Sequence, residues 1–440
     1  MIAAQPLTAP ISYDFMVIAS LHQAAPGGGT FTHDFEPNII NDRGDALFVA
    51  DLSTGGEGVF LRSEGQILQI ARAGQAAPGG GIFDSSVFGP SGINEQGDVA
   101  CVLALSPFSF PLGVNAGLYR SSQNTAALTP VVVPNLTPVP GGDGTFAGVS
   151  FQPRMNNQGD IVVGMDFPTD QGIHVPGEDY VRLGVGIFLA DQRNRLHRIV
   201  GPGDLAPGGG SFDYADSPSI NDAGDIAFDG HIAGEECITM LPQSIFINCA
   251  ESVFLRKAGT GKTQLIAHQG AAAPGGGVFR HLFGPILNAR GEMVLMGDLT
   301  EPPGYNETLG IYFYDGTALV RVAGPGDRMP GGGSLLATSA LEGNFFVNNS
   351  GEVVFNATLD TGEQGVYVWT RGSITVMART GTIIPGVGVV DKTIFGSPVP
   401  PGFPVFDTPS AGAVNNDRSQ ILFGVSLLDG RGVLLIATPK

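Results

Sequence analysis

The chain has 440 residues, 42% of them hydrophobic, and a formal charge of −19 from 41 acidic and 22 basic residues. This charge disfavours a nucleic-acid partner, because phosphate binding requires clustered Lys and Arg. The chain also contains no apolar run that approaches the roughly 20 residues of a membrane-spanning helix. The 66 Gly and 32 Pro recur periodically, which is typical of many turns in a folded chain rather than of low complexity.

A long tandem repeat, marked by the stretch Pro-Gly-Gly-Gly, runs through the whole chain. The full mark begins at Pro26, Pro78, Pro207, Pro274 and Pro330, and degenerate copies begin at Pro140 and Pro385. Each mark is followed by an Asn-x-x-Gly unit, which begins at Asn41, Asn94, Asn156, Asn221, Asn288, Asn348 or Asn416; the last has Ser419 in place of Gly. Asn bonds the backbone two residues on and Gly accepts positive φ, so each unit predicts a tight reversal between two strands, A and B.

The residues after each reversal predict three further strands in a constant order. Strand B alternates apolar and other residues in every copy, as in Ala46, Phe48, Ala50 and Leu52. After a loop of variable length comes a short apolar strand C, such as GVFLR from Gly58, and then strand D, such as ILQIA from Ile67. Alternation with a period of two in all seven copies is a strong β signal.

Four antiparallel strands repeated seven times predict an all-β fold, a seven-bladed β-propeller that forms a single domain over residues 1–440. A solenoid is the alternative, although its repeats are usually shorter and its ends capped. The stretch from Ser12 to Pro26 matches strand D of other units, and the last unit stops at its strand C. We therefore expect a strand at about 13–22 to complete the blade formed by about 386–438, which closes the ring and removes exposed edges.

One face of the predicted propeller is the better candidate for function. The D–A crossings and B–C loops emerge there, and the B–C loops are long and variable at 106–116, 167–184, 233–251 and 299–309. Variable loops on a uniform scaffold usually carry binding. Loop 167–184 has the largest set of polar and charged side chains, which are Asp170, His174, Glu178, Asp179, Tyr180 and Arg182. This set predicts a site for a cation or a sugar; the alternative is a solvated polar loop.

Two further sets of residues predict sites near the mouth of the central channel. Strand A is usually innermost, so the channel-mouth candidates are His33, Asp34, Arg154, Asp213, Tyr214, Asp216, Arg280 and His281. A glycosidase or lyase would need a convergent acid, base or Arg set among them. Equivalent positions at the end of strand B carry Asp51, Asp166, His231 and Asp298. No cofactor is required by the sequence; these acids suggest a partial ring for Ca²⁺, or they only solvate the strand ends.

The three cysteines bear on the compartment. Cys101 falls in an apolar strand and predicts a small core residue. Cys237 and Cys249 flank one loop, so they predict a disulfide and an oxidising compartment, with two unrelated thiols as the alternative. The N-terminal MIAAQPLTAP lacks the basic region and apolar core of a secretory signal, so either a signal has been removed or the protein is not exported.

The stretch NDAGDIAF from Asn221 to Phe228 resembles the bacterial tandem-repeat family named for its Asn-x-x-Gly-x-x-Ala-Phe motif, found in exported "choice-of-anchor" proteins. The units at Asn41 and Asn348 are close to that motif, and the match covers essentially the whole chain. Other units have Cys101, Val163 and Leu295 in place of Phe. The resemblance implies an extracellular or cell-surface location, with no reaction or ligand to carry over.

These features favour a non-catalytic propeller, extracellular or on the cell surface, that binds a glycan, a protein or a neighbouring copy through its variable-loop face. The first alternative is a carbohydrate-active hydrolase or lyase at the channel mouth. The second is a structural subunit of a surface assembly.

Overall fold

The computed structural model describes residues 12–84, 90–106, 115–122, 127–142, 144–149, 153–170, 183–234, 237–240, 246–249, 251–299, 309–338, 345–393 and 412–440. Every regular element in these ranges is a β-strand, and the strands form seven antiparallel sheets arranged as the blades of a propeller, together with one separate two-stranded sheet. The predicted all-β, seven-bladed fold is therefore confirmed. No helix in the same ranges is long and apolar enough to cross a membrane.

The strands follow the repeat in chain order. A leading strand, β1, spans Tyr13–Ser20. Blade 1 contains β2 (Phe31–Ile40), β3 (Ala46–Leu52), β4 (Glu57–Ser63) and β5 (Gln66–Arg72). Blade 2 contains β6 (Ile82–Phe83), β7 (Pro90–Ile93), β8 (Val99–Ser106), β9 (Ala116–Ser121) and β10 (Leu128–Val132). Blade 3 contains β11 (Gly148–Val149), β12 (Arg154–Met155), β13 (Ile161–Pro168), β14 (Leu183–Ala190) and β15 (Leu196–Val200).

Blade 4 contains an extra hairpin between its second and third blade strands. Its strands are β16 (Phe212–Ile220), β17 (Ile226–Ile232), the hairpin β18 (Cys237–Met240) and β19 (Phe246–Cys249), then β20 (Ser252–Arg256) and β21 (Thr263–Ala267). Blade 5 contains β22 (Phe279–Leu287), β23 (Met293–Leu299), β24 (Gly310–Tyr314) and β25 (Leu319–Ala323).

The last two blades complete the ring. Blade 6 contains β26 (Leu335–Thr338), β27 (Phe345–Val347), β28 (Glu352–Leu359), β29 (Gln364–Thr370) and β30 (Ser373–Arg379). Blade 7 contains β31 (Ile383–Ile384), β32 (Gly388–Lys392), β33 (Val414–Asn415), β34 (Ile421–Leu427) and β35 (Gly432–Pro439). In blades 2, 3, 6 and 7, two short segments among the described residues pair with one strand B in the place of strand A.

The leading strand belongs to blade 7. It pairs with β35 in antiparallel register from Tyr13 opposite Pro439 to Ser20 opposite Val433. The phenyl rings of Phe15 and Phe423 lie edge to face, with centroids 6.3 Å apart. Strand β1 thus supplies the strand D that the seventh repeat lacks, and the chain that continues from β1 into blade 1 links the last blade to the first.

The Pro-Gly-Gly-Gly segments form tight turns within the D–A crossings. In the first copy Gly27, Gly28 and Gly29 have φ of 82°, 104° and 79°, a conformation that side-chain-bearing residues rarely adopt. The Ala25 N–H donates to the Gly29 carbonyl at 3.0 Å, and the Gly28 N–H donates back to the Ala25 carbonyl at 3.1 Å. A Cβ on Gly27 would lie 2.0 Å from the Gln69 side-chain oxygen, so the segment also permits close approach of strand D.

The asparagine that opens each A–B turn has a second role beyond the turn. In blade 1 the Asn41 side-chain oxygen accepts the N–H groups of Arg43 and Asp45, while its amide donates 3.0 Å to the carbonyl of Asn94 in the next blade. Equivalent bonds join Asn156 to Asn221, Asn221 to Asn288, Asn288 to Asn348, Asn348 to Asn416, and Asn416 to Asn41. We call these seven buried residues the asparagine ring.

The residue after each asparagine forms a second ring on the same face. Its backbone N–H donates to the side chain at the equivalent position of the next blade, over 2.6 to 2.9 Å. The members of this outer ring are Asp42, Glu95, Asn157, Asp222, Ala289, Asn349 and Asp417. Ala289 has no side-chain acceptor, so no such bond reaches it from Asp222. Four carboxylates are thereby brought together around the axis.

This gathering of acids predicts a pH-dependent stability. Partial burial raises the pKa of Glu95, and the nearby Asp42 carboxylate adds to the rise. The folded protein then binds the Glu95 proton more tightly than the unfolded chain does. The stabilisation of the folded state by this proton is therefore fully present below the unfolded pKa of Glu95, and it is lost as the pH rises through the folded pKa. We expect Glu95→Gln, which retains an acceptor oxygen, to be more stable than the wild type at pH 7 and to lose that advantage towards pH 4.

Urea unfolding of both proteins at the two pH values measures this difference. Taking the difference between variant and wild type removes the opposite contribution of acids such as Asp315, whose pKa is lowered by the Thr317 hydroxyl. If the stability advantage of Glu95→Gln over the wild type stays constant between pH 7 and pH 4, the raised pKa of Glu95 is contradicted.

Candidate functional site

The described residues concentrate buried titratable groups on two adjacent blades, near the ends of strands A and B on the B–C loop face. Strand β16 contributes Asp213, Tyr214 and Asp216, β17 contributes Asp229 and His231, and Glu251 precedes β20; blade 5 contributes His281 from β22 and Asp298 from β23. We call these eight residues the blade 4–5 cluster. Antiparallel register brings them together, since Tyr214 lies opposite His231, Asp216 opposite Asp229, and His281 opposite Asp298.

Each of the two imidazoles is held by a carboxylate. The His231 Nδ1 lies 2.7 Å from Asp213 Oδ1, and the ring of Tyr214 stacks on the His231 ring at a centroid distance of 5.7 Å. The His281 Nδ1 lies 3.3 Å from Asp298 Oδ2. A carboxylate partner fixes the orientation and tautomer of an imidazole, which prepares it to exchange a proton or to bond a ligand hydroxyl.

Asp216 and Asp229 form a hydrogen-bonded carboxyl pair inside blade 4. Burial raises the pKa of Asp216, and the hydrogen bonds from Asp229 and Ser217 counter part of that rise. The Asp229 Oδ2 also accepts the Gly284 N–H of blade 5 at 2.9 Å. Two carboxyl groups this close cannot both ionise at low cost, which is consistent with the raised pKa of Asp216.

Tyr214 links the cluster to the loop that leads into β20. Its hydroxyl donates to Glu251 Oε1 at 2.5 Å. Burial, followed by the charge of Glu251, raises the pKa of Tyr214 well above its ordinary value, so the phenol stays protonated and remains the donor. The position of Glu251 is therefore coupled to the stacked Tyr214 and His231 rings.

The opposed pair of acids in blade 4 is not a general feature of the repeat. In the matching register blade 1 places Glu36 opposite Val49, and blade 5 places Phe283 opposite Met296, where blade 4 has two acids. Replacing a buried polar pair by packed apolar residues is often neutral or stabilising. The acids of blade 4 are thus not required by the scaffold, and buried titratable groups of this kind concentrate at functional sites.

The structure divides the residues that the sequence predicted. Tyr214, His281 and Asp298 lie in the cluster, and the half-buried Arg280 adjoins it in sequence. His33 and Asp51 form the equivalent pair of blade 1, with 3.8 Å between Nδ1 and Oδ2, but His33 has a side chain 79% exposed. The predictions at His174, Glu178, Asp179, Tyr180 and Arg182 lie outside the described residues, and Asp170 is an exposed residue just after β13.

Arg154 contacts an aromatic ring of another blade. Its guanidinium carbon lies 4.9 Å from the centroid of the Phe346 ring, so the side chain of blade 3 reaches the innermost strand of blade 6. Arg154 precedes Asn156 by two residues, which puts it towards the A–B turn end of the channel. Arg154 thus reaches across the ring near that end, and a role for it at the channel mouth stays a prediction.

The acidic ring proposed for Ca²⁺ has no counterpart in the described part of the chain. Asp51, Asp166 and Asp298 occupy matching strand ends on blades 1, 3 and 5, and Asp298 instead pairs with His281. The described ranges contain no group of three or more His, Cys, Asp and Glu side chains arranged to hold a metal ion. Calcium binding therefore stays a prediction from the sequence.

Sequence reasoning missed two members of the cluster. Asp229 occupies the strand B position at which blades 1 and 2 have Val49 and Val102. An acid at a position that is apolar in those blades was the sequence signal that could have revealed it. Glu251 follows the hairpin of blade 4 and carried no repeat signal. Its role depends on the fold bringing it to Tyr214.

The fold and the site together define a seven-bladed propeller with an asymmetric polar cluster on its loop face. The chain belongs to the family described as "Family of unknown function (DUF7453)", which it matches over residues 12–434. No curated protein matches it.

Similar solved structures include an oligogalacturonate lyase from Vibrio parahaemolyticus, at 12% identity over 98% of both chains with a TM-score of 0.49. The β-propeller domain of the Trilobed protease from Pyrococcus furiosus has 10% identity over 92% of this chain and 94% of that chain, with a TM-score of 0.48. A puromycin-hydrolyzing peptidase from Mycobacterium tuberculosis has 11% identity and a TM-score of 0.51; the match covers 98% of this chain but 54% of the peptidase. At these identities the likeness shows the propeller fold alone.

Proposed function

We propose that this protein is an extracellular propeller that binds a neutral glycan at the blade 4–5 cluster. The observation that carries the proposal is the concentration of hydrogen-bonding side chains on two adjacent blades, including the opposed acids Asp216 and Asp229, whose place in blade 5 is taken by Phe283 opposite Met296. Sugar hydroxyls bond well to carboxylates, imidazoles and phenols, which are the groups that the cluster gathers. The extracellular location rests on the resemblance to exported repeat proteins.

The charge of the cluster favours a neutral sugar over an acidic one. Five carboxyl side chains, those of Asp213, Asp216, Asp229, Glu251 and Asp298, face two imidazoles. A uronic or sialic acid would bring a further negative charge into this group, and like charges at close range are costly. We therefore expect recognition of neutral oligosaccharides and little binding of anionic ones.

Glycan-array binding, followed by titration of the best neutral oligosaccharide, tests this proposal. We expect His281→Gln and Tyr214→Phe to weaken binding about tenfold or more, the equivalent of about 1.4 kcal/mol. His33→Gln is the matched control, because His33 occupies the same place in blade 1 without the surrounding cluster. Equal affinity of all three variants, with unchanged thermal unfolding, would contradict the site; binding of acidic glycans alone would contradict the ligand class.

A second candidate function is cleavage of a polysaccharide. The two imidazole–carboxylate pairs favour it, since an oriented imidazole is a common general base. The Asp216–Asp229 pair does not supply the two carboxylates of a typical glycosidase, which stand about 5 Å or more apart rather than hydrogen-bonded to each other. Release of reducing ends that disappears in His281→Gln would establish the enzyme and reject the binding-only proposal.

A further inference from the structure

The hairpin of blade 4 is set apart from the blades. Among the described residues, β18 and β19 form a two-stranded sheet of their own, between β17 and β20 in the chain. An isolated two-stranded hairpin is marginally stable in water without additional fastening. The hairpin therefore needs another source of stability.

The register of the hairpin places two cysteines directly opposite each other. Cys237 pairs with Cys249 at the end nearest the blade, and the ladder continues to Met240 opposite Phe246. Directly opposed residues of an antiparallel pair have Cα atoms about 4.5 or 5.5 Å apart. A disulfide usually needs Cα atoms about 4.4 to 6.8 Å apart, so the backbone satisfies this requirement without rearrangement.

The third cysteine does not compete for this pairing. Cys101 is a free thiol in strand β8 and is fully buried. Burial raises the pKa of the Cys101 thiol, so its reactive thiolate form is suppressed. Cys237 and Cys249 are thus each other's available partner within the chain.

We propose that Cys237 and Cys249 form a cross-strand disulfide that fastens the base of the hairpin and holds Glu251 against Tyr214. Formation removes two protons and two electrons from the two thiols. A low-molecular-weight disulfide such as oxidised glutathione accepts them: one cysteine thiolate attacks it and releases one small thiol, and the second thiolate attacks the mixed disulfide and releases the other. Glu251 lies two residues after Cys249, and Tyr214 donates to it at 2.5 Å.

The proposed disulfide predicts that the number of free thiols depends on the redox state. After treatment of the full chain with oxidised glutathione, we expect one free thiol per denatured chain, and three after reduction. The intact mass should rise by 2 Da on reduction. Cys101→Ala is the control, and it should show no free thiol before reduction and two free thiols after reduction. Three free thiols in the oxidised wild type, stable glutathione adducts, or dimers on a non-reducing gel would overturn the proposal.

The effect on the site is a separate measurement that rests on the proposed function. Reduction, or the double substitution Cys237→Ser with Cys249→Ser, should speed proteolysis between β18 and β19 and weaken binding of the neutral oligosaccharide several-fold. Tyr214→Phe should bind equally weakly in both redox states, because it has already lost the contact to Glu251. A correct thiol count with no glycan binding would reject the proposed function and leave the disulfide standing, whereas unchanged proteolysis would reject the staple.

Discussion

Replacing Asn348 by Ala is expected to destabilise the folded protein by about 3 kcal/mol or more, since each buried group left without its partner costs about 1 to 3 kcal/mol. The Asn348 oxygen accepts the N–H groups of Ser350 and Glu352, and its amide donates to the Glu352 carboxylate and to the Asn416 carbonyl of the next blade. Alanine removes all four bonds at a buried position, and water cannot replace them there.

The neighbouring Asn349 provides the matched control. It is a half-buried member of the outer ring, and blade 5 has Ala289 at the equivalent position. We therefore expect Asn349→Ala to cost less than about 1 kcal/mol, as for an ordinary surface hydrogen bond. Urea unfolding of the two variants and the wild type measures the contrast. Equal destabilisation by the two substitutions would mean that the asparagine ring does not lock the blades.

The asparagine ring shows how far the sequence leads and where it stops. The Asn-x-x-Gly pattern predicts a turn from local chemistry, and the oxygen of Asn41 does bond the backbone within its own turn. The amide of Asn41 donates instead to Asn94, fifty-three residues away. No local pattern contains this bond, because it exists only after adjacent blades are packed side by side.

The candidate site shows the same limit. The innermost position of strand A directed attention to Tyr214 and His281, which lie opposite His231 and Asp298. The contact from Asp229 to the Gly284 N–H crosses from blade 4 to blade 5, and the contact from Tyr214 to Glu251 spans the hairpin. The alternation of residues along a strand predicts which side chains lie on the same side of a blade. It does not predict which residues of the neighbouring blade they contact.

Inter-blade packing also explains why the repeat tolerates an asymmetric site. Blades 4 and 5 retain the conserved turn chemistry at Asn221 and Asn288 on one face, while the polar cluster occupies the other. Each asparagine lock acts at the far end of the strands from the cluster. The cost of burying Asp216 and Asp229 can thus be offset by interactions that the cluster does not disturb.

Deleting residues 1–21 should lower the free energy of unfolding by at least about 4 kcal/mol, because several apolar side chains lose their cover at about 1.5 to 3 kcal/mol each. Strand β1 buries Ile18 and Ala19 and covers β35 along seven paired residues. Its loss leaves blade 7 with an unpaired edge of apolar sequence, from Val433 to Ile436, which is prone to pair with other chains.

Unfolding by urea, together with light scattering, measures both consequences of the deletion. A second deletion that removes residues 1–11 alone separates the strand from what precedes it, and Val17→Thr changes a 42%-exposed side chain while keeping the strand. We expect both controls to unfold like the wild type and to remain unassociated. If the protein without β1 matched them, the bonds from Asn416 and Asp417 to blade 1 would suffice to hold the ring, and the asparagine ring rather than the leading strand would be its main closure.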